Sequence, residues 1–315
     1  MTGEQSVLAP LIVILGPTAS GKSALGIELA RRFNGEVLVC DSTQVYRHFD
    51  VGTAKIPAAE QKGIPHHLTD LVEPDQVFTA GEYRRRAIAV LDDLKGRSKL
   101  PIITAGTGLY LRALIEGLAD APERSEELRD RLRGIAAQRG PEHLHRILAR
   151  IDPQASRKIA ARDEQKVIRA IEIRKLAQKP LADVHRAGRN PLTGYAVTKI
   201  GLSPDRKNLY HRINERTHAM IASGWIDEVR RLAAGGISPK AKPFQFIGYT
   251  EMRAHLEGRL TQRQAVDQIQ QATRQFAKRQ MTWFRREPNV HWLHGFGDDP
   301  ALIQQAISIV VEALR

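Results

Sequence analysis

A glycine-rich segment near the start of the chain has the residue types of a phosphate-binding loop. Gly16–Ser23, with the sequence GPTASGKS, matches G-x-x-x-x-G-K-[ST] at every fixed position. Glycines let backbone N–H groups turn towards phosphate oxygens, Lys22 adds a full positive charge, and the Ser23 hydroxyl is a ligand that Mg²⁺ accepts. The residues expected to hold the phosphates are Gly16, Pro17, Thr18, Ala19, Ser20, Gly21, Lys22 and Ser23. The pattern predicts a bound polyphosphate and leaves the reaction open.

Two further polar residues follow apolar runs. Asp41 comes directly after Val37–Cys40, and Thr107 lies in the turn Thr104–Tyr110, TAGTGLY, which follows another apolar run. Asp41 is a candidate metal-side acid or general base, and a helix N-cap is an equally good interpretation of its position. No acidic residue ends the run before Thr107, where an ATPase often has one. This difference argues against an NTP-hydrolysing motor or switch.

The elements around these residues indicate the fold. Leu11–Leu15 is a run of branched residues that predicts a buried strand, and Lys22–Phe33 has the apolar spacing of a helix. Further strands are predicted at Val37–Cys40, Ile102–Thr104, Val197–Leu202 and Val290–Leu293. Strands that alternate with helices predict an α/β fold, a P-loop parallel sheet with helices on both faces. Ligands of such sheets bind at the carboxyl ends of the strands, where Gly16, Asp41 and Thr107 would lie.

The middle of the chain differs from the rest in composition and in the spacing of its apolar residues. From about Pro122 to Pro191 the apolar residues have helical periodicity and arginines are frequent. We predict an all-helical insertion domain at residues 119–194, between the two parts of a core at residues 1–118 and 195–315. The second part of the core is expected to hold helices at Arg206–Ala234, Leu260–Arg286 and Pro300–Arg315.

The charge of the chain is unevenly distributed. Its 315 residues include 48 Lys and Arg and 35 Asp and Glu, which gives a formal net charge of +13. Residues 1–110 contain 12 basic and 12 acidic residues, so the whole excess lies after residue 110. A basic region favours nucleic acid as a partner, because Lys and Arg displace its counterions; a protein that is simply basic is the alternative.

Other features of the composition bear on location. No apolar run approaches the ~20 residues that span a bilayer, and no basic segment with a long apolar stretch marks export. Cys40 is the only cysteine, so an intrachain disulfide is excluded and a reducing compartment fits. We therefore expect no membrane association and a cytoplasmic location.

Two clusters have competing interpretations. His66 and His67 could suggest a metal, but neighbouring residues of a strand face opposite sides, so structural roles are favoured.

A second cluster, of basic residues at helical spacing, is interleaved with Phe276, Trp283 and Phe284. The basic residues are Arg274, Lys278, Arg279, Arg285 and Arg286. A solvated basic face over an aromatic stripe and a contact with phosphate groups of RNA are equally good interpretations.

Seven segments, taken in order, resemble the tRNA dimethylallyltransferase family of bacterial type. They are Gly16–Ser23, Asp41–Lys55, Pro65–Asp70, Ala105–Tyr110, Asp163–Ile173, Phe244–Met252 and Thr273–Arg285. The resemblance implies a P-loop core with a helical domain that binds the anticodon stem-loop of tRNA. It also implies a reaction, in which the exocyclic N6 amine of an adenosine next to the anticodon attacks dimethylallyl diphosphate and pyrophosphate leaves.

The resemblance also implies roles for particular residues. Asp41 would be the base, Thr107 would bond near the reacting centre, and Lys22 would hold the diphosphate with Mg²⁺ on Ser23. The residues implied to line the tRNA path are Asp41, Ser42, Thr43, Gln44, Thr107, Arg129, Gln165, Lys166, Val167, Ile168, Arg169, Phe244, Gln245, Phe246, Ile247, Gly248 and Tyr249. Arg212 or Arg216 would assist the diphosphate, and the sequence does not choose between them.

The chain departs from the family at two positions, and its ending is also informative. A glycine is usual where Ala105 stands, and a methionine is common where Thr43 stands. No zinc-finger extension follows the last segment, and there is no transit peptide, so a bacterial cytoplasmic enzyme is expected. A monomer is favoured because the insertion has no heptad seam.

Three other functions compete with this one. An adenylate isopentenyltransferase would use the same loop on a free nucleotide, but it would not need a basic insertion. A small-molecule kinase would bind ATP in the loop and use Asp41 as base for a hydroxyl. A nucleotide-gated RNA-binding protein without catalysis would lose nothing when Asp41 is removed.

Overall fold

The computed structural model describes residues 8–186 and 188–315. These residues form two compact units. One consists of the chain up to Leu114 together with Thr193–Arg315, and the other is Ile115–Leu192. The domain boundaries at 118/119 and 194/195 stay a prediction, and the compact units divide slightly earlier in the chain at both places.

A six-stranded parallel sheet is the centre of the first unit. Its strands are β1 (Ala9–Leu15), β2 (Gly35–Cys40), β3 (His66–His67), β4 (Leu100–Ala105), β5 (Tyr195–Leu202) and β6 (Val290–Leu293). They lie in the order β3-β2-β4-β1-β5-β6, and every neighbouring pair is parallel. The parallel sheet is confirmed, and the short edge strand β3 joins the five strands that were predicted from apolar runs.

The helices follow the strands in the alternating order of an α/β fold. They are α1 (Lys22–Arg32), α2 (Ala80–Gly96), α3 (Gly108–Ile115), α4 (Glu126–Arg139), α5 (Pro141–Ile151), α6 (Pro153–Lys158), α7 (Glu164–Ala177), α8 (Leu181–Arg186), α9 (Arg206–Ala222), α10 (Trp225–Ala234), α11 (Tyr249–Leu256), α12 (Gln262–Phe284) and α13 (Pro300–Ala313). The long helix predicted over Arg206–Ala234 is wrong in one respect. It breaks at Gly224, which has a φ of 91° and separates α9 from α10.

Both faces of the sheet are covered by helices. On one face Ile12 and Ile14 of β1 pack with residues of α1 and α13 in one apolar cluster. Successive residues of a strand point to opposite faces, and Leu11, Val13 and Leu15 are as fully buried as their neighbours. On that second face Tyr83 of α2 and the Cys40 thiol of β2 are both buried, and burial raises the pKa of Cys40 to about 12. The predicted two-sided sheet is confirmed.

His66 and His67 have structural partners in the first unit. His67 Nε2 lies 2.7 Å from the buried Glu36 carboxylate, and His66 Nδ1 lies 2.9 Å from the Ile64 carbonyl. Within residues 8–186 and 188–315, no group of three His, Cys, Asp or Glu side chains could hold a metal ion. The same residues include no helix long and apolar enough to cross a membrane.

The second unit consists of helices, and a buried carboxylate lies among them. Its core joins apolar residues of α4, α5 and α7, among them Leu132, Leu144 and Ile171. Glu172 of α7 is fully buried in the same unit. It accepts two hydrogen bonds of 2.8 and 2.7 Å from Arg129 of α4, and a third of 2.5 Å from Arg169. One carboxylate therefore joins two helices of the unit.

Glu172 makes this unit sensitive to acid. Burial alone would raise its pKa, but hydrogen bonds from Arg129, Arg169 and the Ser125 N–H lower the pKa from 4.5 to about 2. Because the pKa of the folded state is the lower one, the stabilisation is complete above about pH 4.5 and is lost as the pH falls towards 2.

We predict that Glu172→Gln lowers the free energy of unfolding of the second unit by about 3 kcal/mol at neutral pH, because the guanidinium groups of Arg129 and Arg169 lose their buried carboxylate partner. Hydrogen exchange in α4 and α7 would measure this local stability. The difference between variant and wild type should shrink as the pH is lowered from about 4.5 towards 2.

Glu126→Gln is a matched control for this experiment. Glu126 pairs with Arg124 and Arg133 in the same unit, and its side chain is 45% exposed. Its removal should cost less than about 1 kcal/mol. Equal losses for the two variants would contradict the role given to Glu172.

Candidate active site

The loop Gly16–Ser23 connects β1 to α1, in the strand–loop–helix order of a phosphate-binding loop. Gly21 precedes α1 and has a φ of 86°, a left-handed conformation that favours glycine. A Cβ there would lie 2.6 Å from the nitrogen of Gly297. The Gly297 N–H donates a hydrogen bond of 2.8 Å to the Ser20 carbonyl. The segment that follows β6 therefore packs against the phosphate loop and is hydrogen-bonded to it.

The hydroxyl groups of Ser20 and Ser23 in the loop have no hydrogen-bond partner in the part of the chain that the structure describes. Ser20 Oγ is buried, and Ser23 is exposed in the first turn of α1. The N-terminus of α1 favours an anion through its free N–H groups and its dipole. A diphosphate would give Ser20 a partner. Ser23 and phosphate oxygens together would supply the oxygen ligands that Mg²⁺ prefers.

Lys22 is the cation of the loop. Its Nζ donates a hydrogen bond of 2.7 Å to the Pro17 carbonyl. Burial lowers the pKa of Lys22 from 10.5 to about 8; the Asp41 carboxylate opposes this shift, and the Arg216 guanidinium adds to it. The charges of Lys22, Asp41 and Arg216 therefore act on one another, and the two cations outnumber the carboxylate.

The structure distinguishes the two candidate arginines of α9. Arg212 is paired with Asp298 through two hydrogen bonds of 2.7 and 2.6 Å, and its guanidinium lies 4.7 Å from the Phe296 ring centre. Arg216, one turn further along α9, has no ion pair with any residue of 8–186 or 188–315. Burial lowers the pKa of Arg216, Arg212 adds to this effect and Asp41 opposes it. Of the two, Arg216 is the cation available to a ligand.

Asp41 lies at the end of β2 and does not cap a helix, so the N-cap interpretation is wrong. Its Oδ1 accepts hydrogen bonds from the Thr43 N–H and Oγ1, at 2.8 and 2.6 Å. Oδ2 has no hydrogen-bond partner among the described residues and lies beside Gly106, where a Cβ would be 2.7 Å from it. One oxygen is held and the other is available to accept a proton, as a general base requires.

Thr107 fastens the turn after β4 to the end of β2. Its Oγ1 accepts a hydrogen bond of 3.0 Å from the Ser42 N–H and donates one of 3.3 Å to the Ser42 hydroxyl. The N–H groups of Gly106 and Thr107 both donate to the Cys40 carbonyl, at 3.0 Å each. Thr107 and Asp41 are thereby held in neighbouring positions.

Gln280 of α12 joins the phosphate loop to the turn that contains Gly106 and Thr107. Gln280 was not among the residues predicted from the sequence. Its Oε1 accepts a hydrogen bond of 2.8 Å from the Thr18 N–H, and its Nε2 donates one of 2.8 Å to the Gly106 carbonyl. The side chain is buried. Its only signal in the sequence was its position within Thr273–Arg285, one of the segments that carried the family resemblance.

The side chains of Phe244–Tyr249 differ in how far they are exposed. Phe244 and Tyr249 are buried beside Phe49 in an aromatic core cluster, whereas Gln245 is exposed. The Tyr249 hydroxyl donates a hydrogen bond of 2.6 Å to Glu228. The expectation that the whole stretch lines an RNA path is thus corrected for the Phe244 and Tyr249 side chains, which are core.

Glu228 fixes the loop that precedes this cluster. Its carboxylate accepts hydrogen bonds from the N–H groups of Asp50, Val51 and Gly52, at 3.0, 2.7 and 3.3 Å. Glu228 is itself buried. The segment Asp41–Lys55, which begins at the candidate base, is therefore anchored at both ends.

The predicted RNA contacts of the second unit also include both exposed and buried side chains. Gln165 and Lys166 are exposed on the first turn of α7, whereas Val167 and Ile168 are buried in the core of the unit. Arg129 is turned inwards, with its side chain only 14% exposed against Glu172. The side chains of Val167 and Ile168 are not available as RNA contacts, which corrects the expectation for these two.

The basic residues near the end of α12 are mostly exposed. Lys278, Arg279 and Arg286 line a groove on the outer side of this helix, and Arg285 is exposed as well. Arg274 donates a hydrogen bond of 2.8 Å to Asn214. Phe284 is in the core, and Trp283 and Phe276 are partly buried. The structure is compatible with either interpretation of these residues.

Comparisons with known proteins give a consistent result. A family model described as IPP transferase matches residues 44–287. A tRNA dimethylallyltransferase of Koribacter versatilis (strain Ellin345) is 52% identical over 302 residues, 95% of this chain and 97% of that relative. A tRNA dimethylallyltransferase of Solibacter usitatus (strain Ellin6076) is 47% identical over 305 residues, 97% of this chain and 99% of that relative.

Solved structures have the same fold. The full-length tRNA isopentenylpyrophosphate transferase from Bacillus halodurans is 37% identical and matches with a TM-score of 0.72 over 97% of this chain and 96% of that chain. A eukaryotic dimethylallyltransferase, from a crystallographic study of its action on tRNA, is 26% identical. It matches with a TM-score of 0.83 over 97% of this chain and 79% of its own.

The fold and the site define an α/β protein in which a loop of the phosphate-binding type lies near a carboxylate with one oxygen free of hydrogen bonds from the described residues. The similarity covers nearly the whole chain and reaches 52% identity. The chain belongs to the IPP transferase family, and it is a prenyltransferase.

The pKa of Lys22 generates a prediction about phosphate binding. The affinity for inorganic pyrophosphate should fall as the pH rises through about 8, because Lys22 loses its charge there. Calorimetric titration across this range would measure it. Lys22→Arg should bind without that inflection, since a guanidinium stays charged throughout. The same inflection in both proteins would assign it to pyrophosphate itself and not to Lys22.

Proposed function

We propose that the enzyme transfers a dimethylallyl group from dimethylallyl diphosphate to the N6 amine of an adenosine adjacent to the anticodon of tRNA. Its relatives of 52% and 47% identity are named tRNA dimethylallyltransferase. In this proposal the phosphate loop holds the diphosphate, Asp41 is the base, and the reaction takes place in the cytoplasm on a monomeric enzyme.

The observation that carries the proposal is the common register of three strands. Leu15 of β1 and Cys40 of β2 are both paired with Ala105 of β4. Neighbouring strands are about 4.8 Å apart, so the loop after β1 and Asp41 after β2 are separated by about 10 Å. This separation leaves room for a diphosphate on the loop side, an amine on the Asp41 side and the reactive carbon between them.

The proposed step requires one base and a stabilised leaving group. The lone pair of N6 forms a bond to C1 of the prenyl group as the bond from C1 to the diphosphate oxygen breaks. The proton released from N6 goes to Asp41 Oδ2, the oxygen that has no hydrogen bond of its own. Thr43 holds the other oxygen and so fixes the direction of the free one. Thr107 would orient the acceptor beside it.

Positive charge is needed where the diphosphate leaves. Lys22, Arg216 and the N–H groups at the start of α1 supply it, and they are fixed before the reaction begins. Ser23 would hold a Mg²⁺ ion together with the phosphate oxygens, and the ion would neutralise part of the charge that develops there. Arg212 would act indirectly, since its guanidinium is engaged by Asp298.

The proposed RNA contacts are the members of the predicted set whose side chains are exposed or only partly buried. In the first unit these are Ser42, Thr43, Gln44, Gln245, Phe246 and Ile247, beside Asp41 and Thr107. In the second unit they are Gln165, Lys166 and the partly exposed Arg169. Gly248 and Arg129 would position their neighbours. An unpaired loop suits this reaction because a base must leave its stack to reach the carboxylate, and an unpaired base does so at low cost.

A transfer assay tests the proposal. Wild-type protein incubated with unmodified tRNA, Mg²⁺ and labelled dimethylallyl diphosphate should place the label in tRNA without ATP. Asp41→Asn should lower kcat by about 100-fold or more, because the carboxamide cannot accept the proton, while tRNA binding is kept. Label found only in AMP would identify an adenylate isopentenyltransferase, and a requirement for ATP would identify a kinase.

Asp75→Asn is the control for the loss of a carboxylate. Asp75 is exposed in the same unit and takes no part in the site described above. Its transfer rate should equal that of the wild type. A fully active Asp41→Asn variant would contradict the assignment of the base.

The two arginines of α9 make a paired prediction. Arg216→Ala should lower kcat/KM for dimethylallyl diphosphate by about 100-fold, the loss typical when one preorganised group that stabilises developing charge is removed. Arg212→Ala should have a much smaller effect, because its guanidinium is already paired with Asp298. Steady-state kinetics with tRNA held saturating would measure both. The reverse order would assign the leaving-group cation to Arg212.

A further inference from the structure

We propose that Gln280 is a positioning residue that sets the distance between the phosphate loop and the Asp41–Thr107 side of the site. Its amide connects the two sides directly, with one hydrogen bond to Thr18 and one to Gly106, both of 2.8 Å. It touches no reacting atom in the proposed mechanism and acts through the two loops that it joins. The inference rests on the proposed function.

The chemistry of the bridge requires a carboxamide. The Thr18 N–H needs an acceptor, and the Gly106 carbonyl needs a donor. Among side chains of this length, only glutamine offers both on one planar group. A glutamate keeps the acceptor and loses the donor, and an apolar residue loses both. The identity of the residue is therefore determined by the two backbone groups that it bridges.

The position of Gln280 on α12 supports the same role. Ala277, Gln280 and Phe284 are buried and follow one another at helical spacing on one face. Ala277 packs with Ala19 of the phosphate loop in an apolar cluster. Trp283, on the next turn, contacts Gly108 at the start of α3. This helix therefore touches both sides of the site, and Gln280 is the buried polar residue between its two apolar contacts.

The bridge has a geometric consequence for the reaction. The Thr18 N–H belongs to the loop that would hold the diphosphate, and Gly106 lies against Asp41 Oδ2. A change in the Thr18 to Gly106 spacing would thus move the leaving group relative to the base. Displacements of about 1 Å at a reacting centre can cost about 100-fold in rate. The buried amide holds this spacing without contributing a charge of its own.

Substitution of Gln280 tests the inference. We expect Gln280→Leu to lower kcat about 100-fold in the tRNA transfer assay, because the two sides lose their common tether. The KM for tRNA should be unchanged, because the Gln280 side chain is buried and is not one of the proposed RNA contacts. Inorganic pyrophosphate should bind about tenfold more weakly, because the loop that holds it is no longer fixed through the Thr18 N–H.

Gln270→Leu is the matched control. Gln270 is also a buried glutamine of α12, 9% exposed against 6% for Gln280, and its amide bonds to His218 away from both loops. The two variants should lose similar amounts of thermal stability, and only Gln280→Leu should lose rate. Equal kinetic constants and equal pyrophosphate affinity in the two variants would overturn the inference.

Gln280→Glu provides a test that does not depend on the loss of packing. A buried glutamic acid regains a donor when it is protonated, and burial raises the pKa of such a carboxyl above its usual range. The rate of this variant relative to wild type should therefore rise as the pH is lowered from about 8 to about 6. A constant ratio would overturn the inference even where Gln280→Leu fails to fold.

The design separates this inference from the proposed function. If wild type and Gln270→Leu place no label in tRNA, the proposed function fails. The pyrophosphate measurement then decides whether Gln280 fixes the loop, since it requires neither tRNA nor transfer. If both proteins are active and the Gln280 variants equal them, only the positioning role fails.

Discussion

Three adjacent strands of the sheet end at the same level, and the active site depends on this shared register. Hydrogen bonding aligns Leu15 and Cys40 with Ala105, so the residue after each strand emerges at one edge. These residues are a phosphate-loop glycine, a carboxylate and a glycine that must lie against that carboxylate. A slip of one residue in any strand would turn its buried side chains to the opposite face. Core packing and site geometry are therefore stabilised by the same pairing.

The distribution of charge around this edge differs from that in the rest of the first unit. The buried Lys199 is paired with Glu287 at 2.9 Å, and Lys55 is paired with Asp50 at 2.7 Å. Lys22, in contrast, bonds to a carbonyl, and the carboxylate that acts on it belongs to the site. Burying cations without full pairing costs stability. A bound anion would recover that cost, so diphosphate binding and folding stability are expected to be coupled.

The sequence predicted the parts of the site that follow from local patterns. The loop Gly16–Ser23, the strand ends and Asp41 were identified because strand–turn–helix order and residue type are visible in a short segment. Gln280 could not be identified in this way, because its function depends on contact with Thr18, 262 residues away along the chain. The choice between Arg212 and Arg216 depended on Asp298, which is 86 residues from Arg212 along the chain.

Burial accounts for the remaining differences between prediction and structure. The resemblance predicted continuous RNA-contacting stretches, but a helix or a tight turn presents only some of its residues to solvent. Val167 and Ile168 follow the exposed Lys166 and already face the core of their own unit. Phe244 is likewise core, beside the exposed Gln245. A motif identifies a segment, and the period of its secondary structure decides which of its side chains are available.

The connections of the helical unit explain how an insertion can interrupt the chain without disturbing the sheet. Its first and last residues are joined, since the Leu192 N–H donates a hydrogen bond of 3.0 Å to the Ile115 carbonyl. Arg189 pairs with Glu116, and Ala119 forms a bridge with Arg189. The unit is thus closed at its base. A parallel sheet already requires a long crossover between its strands, and lengthening a closed crossover adds little entropy cost. Changes of sequence within the unit can therefore leave the register of the sheet, and with it the geometry of the candidate site, unchanged.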